Sequence, residues 1–477
     1  DWSREVQTSD PNYYKWTQWI FLQLYNSWYN PETNKAEPID DLKEKIIQLN
    51  ANQIDHEAID IEAELMKYRL AYRAESYVNW CEVLGTVLAN DEIVDDENGN
   101  PVSERGGHAV VKKSMRQWFM RITAYADRLL AGLETIDWSD SIKEIQKNWI
   151  GKQTDENGTT TYNIRDAIFA RQRYWGEPIP LQNKDGIINE VSENNLPLQL
   201  PHVDSYAPAG DGQSPLATVP EWVSAGYETN TMPGWAGSSW YFLRYIDPKN
   251  TEKFASSTEL DYWFSETGGV DMYIGGTEHA TGHLLYSRFW HKVLHDLGYV
   301  KTDEPFAALR NQGMILASDG RKMSKRWGNV INPDDMVHQF GADTMRIYEM
   351  FMGPFEASQP WSVDGMVGSR RFVERVWRIG ETVSPETSTD VLKSLHKTIK
   401  KVTDDIVNFN FNTAVSAMMI LINEIEKQGN QISTTDYKKF LQILAPFAPH
   451  ITEEIWQGYL GETDSIHLAP WPEYDER

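Results

Sequence analysis

A single cysteine, Cys81, stands among 477 residues. That excludes an internal disulfide and a multi-cysteine zinc site, and it suits a reducing, cytoplasmic setting. No apolar run approaches the length of a membrane span, and the N-terminus carries no signal-peptide pattern. Positive charge is also short: 45 Lys and Arg face 70 Asp and Glu, for a net charge of −25. Wholesale coating of nucleic acid is excluded by that field; a nucleic-acid partner would have to be met by local basic patches. The first residue is Asp1 rather than Met, so the expectation is a fragment or processed portion. The length predicts two to four domains with ample material for a core.

Residues 1–77 read as mainly helical, with Tyr13, Trp16, Trp19, Ile20, Leu22 and Leu24 forming an apolar stripe that belongs in a core. The charged stretch Asp40–Glu64 reads as a helical insertion. Val78–Asn90 reads as strand and turn, and Asp91–Glu104 as an acidic loop or hairpin punctuated by Asn and Gly. The spacing over 113–149 predicts an amphipathic helical run burying Trp118, Met120, Ile122 and Leu129. Gly151–Asn163 is a polar turn or hairpin. Val270–Ile274 reads as a buried strand, Gly275-Gly276 as a turn, and Thr277 as the N-cap of a helix reaching His295. Glycines at the C-terminal end of a strand let a ligand approach backbone closely.

His279 and His283 lie one helical turn apart on a shared face, while His291 and His295 point elsewhere. A metal reading needs the His-Glu-x-x-His order and a third ligand. Here Glu278 precedes the first His, which disfavours metal; structural histidines remain the alternative to ligand contacts.

Downstream, a turn at Ser318-Asp319-Gly320 leads into the basic loop Lys322-Met323-Ser324-Lys325-Arg326. Next comes a helix start in which Asn332 caps, Pro333 takes the first position, and Asp334 and Asp335 favour the positive dipole end. Two lysines around a Ser offer mobile cations for a polyphosphate; alone, the pattern equally describes a solvated turn. Residues 366–477 read as a helical bundle with basic runs at Arg370-Arg371, Arg375, Arg378 and Lys393–Lys401. These runs either meet nucleic acid or form a solvated face.

The loop resembles the Lys-Met-Ser-Lys-Ser signature of class I aminoacyl-tRNA synthetases, as does the continuation Gly328–Asp335. Asp1–Tyr25, Ala170–Pro180, Ser238–Phe242 and Tyr273–Ala280 resemble leucyl-tRNA synthetase of the bacterial type rather than its valyl or isoleucyl relatives. Phe409–Met419 and Leu444–Trp456 resemble the anticodon-binding bundle of that group. The resemblance implies an α/β chain: the second half of a Rossmann-like nucleotide fold, a connective α+β module and a C-terminal helical bundle. The implied segments are 1–230, 231–365 and 366–477. It also implies ATP-dependent formation of leucyl-adenylate and transfer to tRNA(Leu), with ATP and Mg²⁺ entering as substrate. Lys322 and Lys325 would be catalytic. Gly275, Gly276, Glu278, Met323 and Ser324 would bind ATP or adenylate, and Trp235, Ser238, Tyr241, Tyr273, His279 and His283 would line the leucine pocket. Arg370, Arg371, Lys397, Lys400 and Lys401 would contact tRNA.

Departures from the family pattern carry their own expectations. Glu82 replaces the usual Pro. Lys152–Asn163 stands where an editing domain is commonly inserted, so that module is expected to be absent. Leu181–Ile187 replaces a metal-binding hairpin, so no structural zinc is expected. The chain stops at Arg477, where many members carry a further small domain. The family's His-Ile-Gly-His signature occurs nowhere among the 11 histidines. Loss of one preorganised donor costs about 2.7–4 kcal/mol of transition-state stabilisation. The isolated chain is therefore expected to be inactive or very weak unless another chain supplies the N-terminal catalytic half. A non-catalytic tRNA- or adenylate-binding relative, and a scaffold that no longer binds its ligands, are the other readings.

Overall fold

A computed structural model describes residues 3–51, 60–89, 92–207, 212–264, 268–325 and 327–475. Asp1, Asn90, Asp91, Arg326, Arg477 and part of the Asp40–Glu64 stretch lie outside the described residues. The chain forms two compact units, Asp1–Arg310 and Asn311–Arg477, and the division falls inside the 231–365 segment.

In the first unit the Pro11–Tyr25 helix begins where Asp10 accepts from the Asn12 N–H and Pro11 takes the first turn. It buries Tyr13, Trp16, Ile20, Phe21, Leu22 and Leu24 in an aromatic-rich core. Beyond this point the helical reading of residues 1–77 holds only in part, in the charged stretch. A Ser27–Asn30/Lys35–Pro38 hairpin follows, and after the Ile39–Ala51 and Ile61–Met66 helices comes an 11-residue strand, Ala71–Cys81. Residues 111–120 are strand rather than helix; within the predicted 113–149 run helix is confined to a 3₁₀ turn at Ile122–Tyr125 and the α-helices Ala126–Gly132 and Asp140–Ile150. The cause is one long antiparallel ladder, Ala71↔Met120 to Trp80↔Val111, whose tertiary pairing overrides local periodicity. Trp118, Met120, Ile122 and Leu129 are nonetheless all buried. Thr86–Leu88 and Ala167–Ile168 complete a four-stranded antiparallel sheet.

Gly151–Asn163 forms the hairpin Gln153–Thr154/Thr160–Thr161. Leu181–Lys184 pairs with Ile187–Glu190 across Asp185 and Gly186, both with positive φ (55° and 86°), as a two-residue hairpin turn requires. Cys81 is buried, and among the described residues no group of three or more His, Cys, Asp or Glu could hold a metal ion.

Two further expectations need correction. Of Val270–Ile274, only Tyr273–Ile274 is strand, paired in parallel with Leu309–Arg310. Met272 and Ile274 are 39% and 53% exposed, so the segment is not a buried strand. Thr277 opens a short 3₁₀ turn instead of capping the long helix; Gly282, at φ −104° and ψ −101°, breaks the path and the helix starts at His283.

That His283–Asp296 helix is anchored by buried charge. Glu304 accepts from Arg288 Nε at 2.7 Å and Nη2 at 2.6 Å, and Lys292 Nζ lies 2.7 Å from its Oε1. Arg288 also donates to Gln146 Oε1 and to the Leu129 carbonyl. Burial pushes the Glu304 carboxyl up, but Arg288 and Lys292 outweigh it and hold it below the usual carboxylate range. Residue 132 is glycine because a Cβ there would sit 1.8 Å from Glu304 Oε1.

In the second unit, the Val363–Gly380, Thr389–Val407, Phe411–Lys427, Thr434–Leu444 and Pro449–Gly458 helices enclose a core including Val376, Ile399, Met418, Leu421 and Phe440. Before them, Asn332 Oδ1 accepts from the Asp334 N–H at the start of Pro333–Phe340, as the sequence predicts.

Glu304→Gln should lower the unfolding free energy by about 3–5 kcal/mol, because it leaves two buried cations without their carboxylate. Chemical denaturation followed by tryptophan fluorescence checks this; a change below about 1 kcal/mol would mean the cluster is not an anchor.

Candidate active site

Three segments of the first unit converge on a hydrogen-bonded chain. Tyr241 opens the short Tyr241–Arg244 helix, Tyr273 lies on the parallel strand and His283 is the first residue of its helix. The Tyr241 and Tyr273 hydroxyls are 2.5 Å apart, and Tyr273 Oη lies 2.7 Å from His283 Nε2. His283 Nδ1 in turn lies 3.3 Å from Ser287 Oγ. The Tyr273 ring stacks on Phe306 at 3.9 Å and 7°. His279, on the 3₁₀ turn, meets the His283 ring edge-on at 6.2 Å.

Burial, with a smaller contribution from His279, pushes His283 down to about 4. At neutral pH its ring is uncharged, so one nitrogen accepts and the other donates. Burial raises both Tyr241 and Tyr273, so the chain is a line of neutral hydroxyls and imidazole. It suits orienting polar groups of a ligand rather than supplying charge.

Trp235 stacks on Tyr286 at 3.9 Å and 16°, and Ser238 Oγ donates to the Trp235 carbonyl at 3.2 Å. Gly275 N–H donates to the Arg310 carbonyl at 3.3 Å. A Cβ at Gly276 would meet Glu278 Oε2 at 2.0 Å, so the Glu278 side chain folds back over that glycine. His291 sits apart, buried beside Phe242 and Phe264 and 2.8 Å from Thr302 Oγ1.

In the second unit, Asn329 staples the basic loop: its Oδ1 accepts from the Ser324 N–H at 2.8 Å, and its Nδ2 donates to the Lys322 carbonyl at 3.3 Å. Met323 packs into a cluster with Phe340 and Trp361. The Lys322 and Lys325 residues are exposed. Of the cations assigned to tRNA, Arg370 donates to Glu374 and to the Phe340 carbonyl, Lys401 pairs with Asp405, and Lys400 lies over the Tyr474 ring. Arg371 and Lys397 are exposed.

Sequence reasoning missed Tyr286, Ser287 and Phe306. The first two lie three and four residues after His283, so helical spacing could have found them; Phe306 is reached only through strand pairing.

The family of class I tRNA synthetases (I, L, M and V) matches residues 40–203 and 252–358, and the anticodon-binding domain of tRNA ligase matches 389–477. A leucine–tRNA ligase of Cytophaga hutchinsonii is 33% identical over 748 aligned residues, taking in 100% of this chain and 80% of the relative. The chain belongs to the leucine–tRNA ligase family. Because the alignment is longer than the chain, the relative carries long internal stretches that have no counterpart here.

A crystal structure of the Agrobacterium radiobacter K84 agnB2 LeuRS, in a ternary complex with tRNA and LeuAMS, matches at TM-score 0.78 and 28% identity. It covers 100% of this chain and 76% of that one. Mycobacterium tuberculosis methionyl-tRNA synthetase in complex with methionyl-adenylate matches at TM-score 0.56 and 13% identity, over 95% of this chain and 76% of that one, a likeness of fold alone. This leucine–tRNA ligase homologue thus has the class I synthetase fold, mixed α/β with a helical C-terminal region.

The site generates a pH test. His283 and His291, the latter pushed down to about 3 chiefly by burial, both titrate in the folded chain below the ordinary value of 6.5. The unfolded chain takes up those protons first, so their stabilisation is complete above pH 6.5 and is lost as pH falls toward the folded values. Glu177, held up at about 7 by burial, runs the opposite way. The histidine contribution is therefore read from differences. Relative to the wild type, His291→Gln should remove up to about 1.4 kcal/mol of pH dependence per unit between about pH 6.5 and 5. Parallel denaturation profiles for the two proteins would refute the assignment.

Proposed function

We propose that the chain ligates leucine to tRNA(Leu) through leucyl-adenylate, and that it does so with a His-Ile-Gly-His segment that its 477 residues do not contain. The observation that carries this reading is the Tyr241–Tyr273–His283 chain, formed by residues that the family resemblance assigns to one pocket. In this reading the leucine carboxylate attacks the α-phosphorus of magnesium-bound ATP, pyrophosphate leaves, and a ribose hydroxyl of tRNA then takes the leucyl group from the adenylate as AMP departs. No protein nucleophile is needed; the protein aligns the reactants and neutralises charge.

Trp235, Ser238, Tyr241, Tyr273, His279 and His283 line the leucine and adenylate pocket. Gly275 and Gly276 admit the adenosine, and Glu278 accepts from its ribose hydroxyls. Lys322 and Lys325 meet charge developing on pyrophosphate, with Met323 and Ser324 shaping the loop around the nucleotide. The staple by Asn329 supports that role, since it holds the loop backbone while both lysines remain exposed. Arg370, Arg371, Lys397, Lys400 and Lys401 serve tRNA. The 1–230, 231–365 and 366–477 segments act as connective, nucleotide-binding and tRNA-binding parts. The second reading is a non-catalytic synthetase-like tRNA- or adenylate-binding protein.

Leucine-dependent ATP–pyrophosphate exchange separates the two. The chain alone should be very slow and should gain activity when the N-terminal segment of the Cytophaga relative is added. In that complemented enzyme, Lys325→Ala should lower the exchange rate with little change in leucine affinity, because the charge it meets appears only as pyrophosphate leaves. Exchange that never rises above background on complementation would favour the non-catalytic reading. A fall in leucine affinity at constant rate would make Lys325 a ground-state binding group.

Binding of tRNA should weaken steeply with salt. Each phosphate that a lysine neutralises adds about 0.7–0.9 to the log–log slope, so replacing Lys397, Lys400 and Lys401 with Ala should flatten it by that much per lysine engaged. An unchanged slope would place those lysines on a solvated face.

A further inference from the structure

The strand that leads into the Lys322–Lys325 loop is hung on residues 353–361. The Gly313 N–H donates to the Phe355 carbonyl at 2.7 Å, and the Met314 N–H to Ser358 Oγ at 3.1 Å. Ile315 and Leu316 then pair in parallel with Gln359 and Pro360. Gly313 packs so closely here that a Cβ on it would lie 2.2 Å from the Ala357 carbonyl carbon. From this strand the chain folds back into the loop: Leu316 bridges Lys322 in antiparallel fashion, and the Ala317 N–H donates to the Arg321 carbonyl at 2.9 Å. The base of the loop is thus tied to residues 353–361.

That segment is gripped in turn through one ring. Phe355 lies 5.4 Å from Phe409 and 5.6 Å from Phe411, which are themselves 5.3 Å apart. Both partners sit where the Thr389–Val407 helix gives way to Phe411–Lys427. Phe411 continues into the bundle core, meeting buried Phe447 at 6.2 Å. Asp405 fixes the turn from both sides: its carbonyl accepts from the Asn410 N–H at 2.8 Å, and its buried carboxylate from Thr413 Oγ1 at 2.7 Å. Phe409 has a φ of 58°, a left-handed conformation that a bulky side chain adopts only where its surroundings impose it. A turn under no other demand would carry Gly or Asn there. Here the unfavourable backbone sets an aromatic ring against Phe355.

We propose that Phe355, gripped by Phe409 and Phe411, is a positioning residue for the Lys322–Lys325 loop. This rests on the reading of that loop as the element that meets pyrophosphate, and adds to it the contact by which the bundle sets the loop. An aromatic pair shifts a local equilibrium by roughly 2- to 10-fold, so loss of the ring contact raises the fraction of chains with a displaced loop by that factor.

Two readouts test it, the first without catalysis. In limited trypsin digestion of the full 477-residue chain, followed by mass spectrometry, Phe355→Ala and Phe409→Gly should speed cleavage after Lys322 and Lys325 by roughly 2- to 10-fold. Cleavage after Lys397 and Lys400, which reports loosening of the bundle itself, should not change. Phe409→Gly relieves the positive φ while removing the ring, so it carries the test if Phe355→Ala does not fold. Phe355→Tyr keeps the ring and should behave as the unmodified chain. In the complemented enzyme, Phe355→Ala or Phe409→Gly should lower the leucine-dependent exchange rate by a similar factor with the leucine KM unchanged. Unchanged loop cleavage in folded Phe409→Gly, an equal rise at the bundle sites, or faster loop cleavage with an unaltered exchange rate overturns the role of Phe355 and leaves the leucine reading standing. If complementation yields no exchange even in the unmodified chain, the leucine reading fails, and loop cleavage alone decides whether Phe355 positions the loop.

Discussion

Glu304, enclosed by Arg288 and Lys292, is the constraint on which the first unit's site depends. A buried ion pair is no strong source of stability, since desolvation of the charges offsets their attraction. What this one supplies is register. Arg288 reaches Gln146 and the Leu129 carbonyl, so the His283–Asp296 helix is fixed against two other helices, while Glu304 fixes the segment that follows it. Two residues after Glu304 comes Phe306, the floor under Tyr273; five residues before Arg288 comes His283. A slip of one residue at the charge cluster would part the Tyr273–His283 bond. Arg128 extends the same logic, holding Asp296 and Asp303 near the other end of the helix.

What was legible in the sequence was local. The Asn332 cap, the Ile93–Asp95/Pro101–Ser103 and Gln153–Thr154/Thr160–Thr161 hairpins, the bundle and the inward-facing Trp118 and Leu129 follow from turn chemistry and burial, which depend on neighbours in the chain. Ala71–Cys81 and Val111–Met120 were not legible as a pair, because each strand's partner is distant in sequence and neither alternates cleanly. Val270–Ile274 misled for a related reason. An apolar run predicts burial only if both faces of the strand are covered, and here Leu309–Arg310 pairs with one edge while Met272 and Ile274 are exposed. Of the hydrogen-bonded chain, motif resemblance pointed to Tyr241, Tyr273 and His283, but Phe306 beneath Tyr273 carries no motif.

Existing ion pairs refine the picture of the second unit. A basic run read along the sequence overstates what a polyanion can use, because some cations are already engaged. Lys401 neutralises Asp405, whose carboxylate is buried, and Arg370 holds both Glu374 and a helix-terminal carbonyl. Withdrawing either from its partner to meet a phosphate exchanges one ion pair for another, with little net gain. Arg371 and Lys397 are exposed on successive helices of the bundle.

The same reasoning applies to the Lys322–Lys325 loop, where a mobile polycation would bind phosphates but lose conformational entropy on each encounter. Asn329 reduces that loss by joining the Ser324 N–H to the Lys322 carbonyl across the loop. Arg321, paired with Asp319 and lying 5.0 Å over Trp327, fixes the approach. Met323 packs its side chain against the cluster of Phe340 and Trp361, turning the intervening residue inward. A backbone held at three points presents its two lysines from a prepared frame, so an anion binding there would have only their side-chain rotamers left to settle.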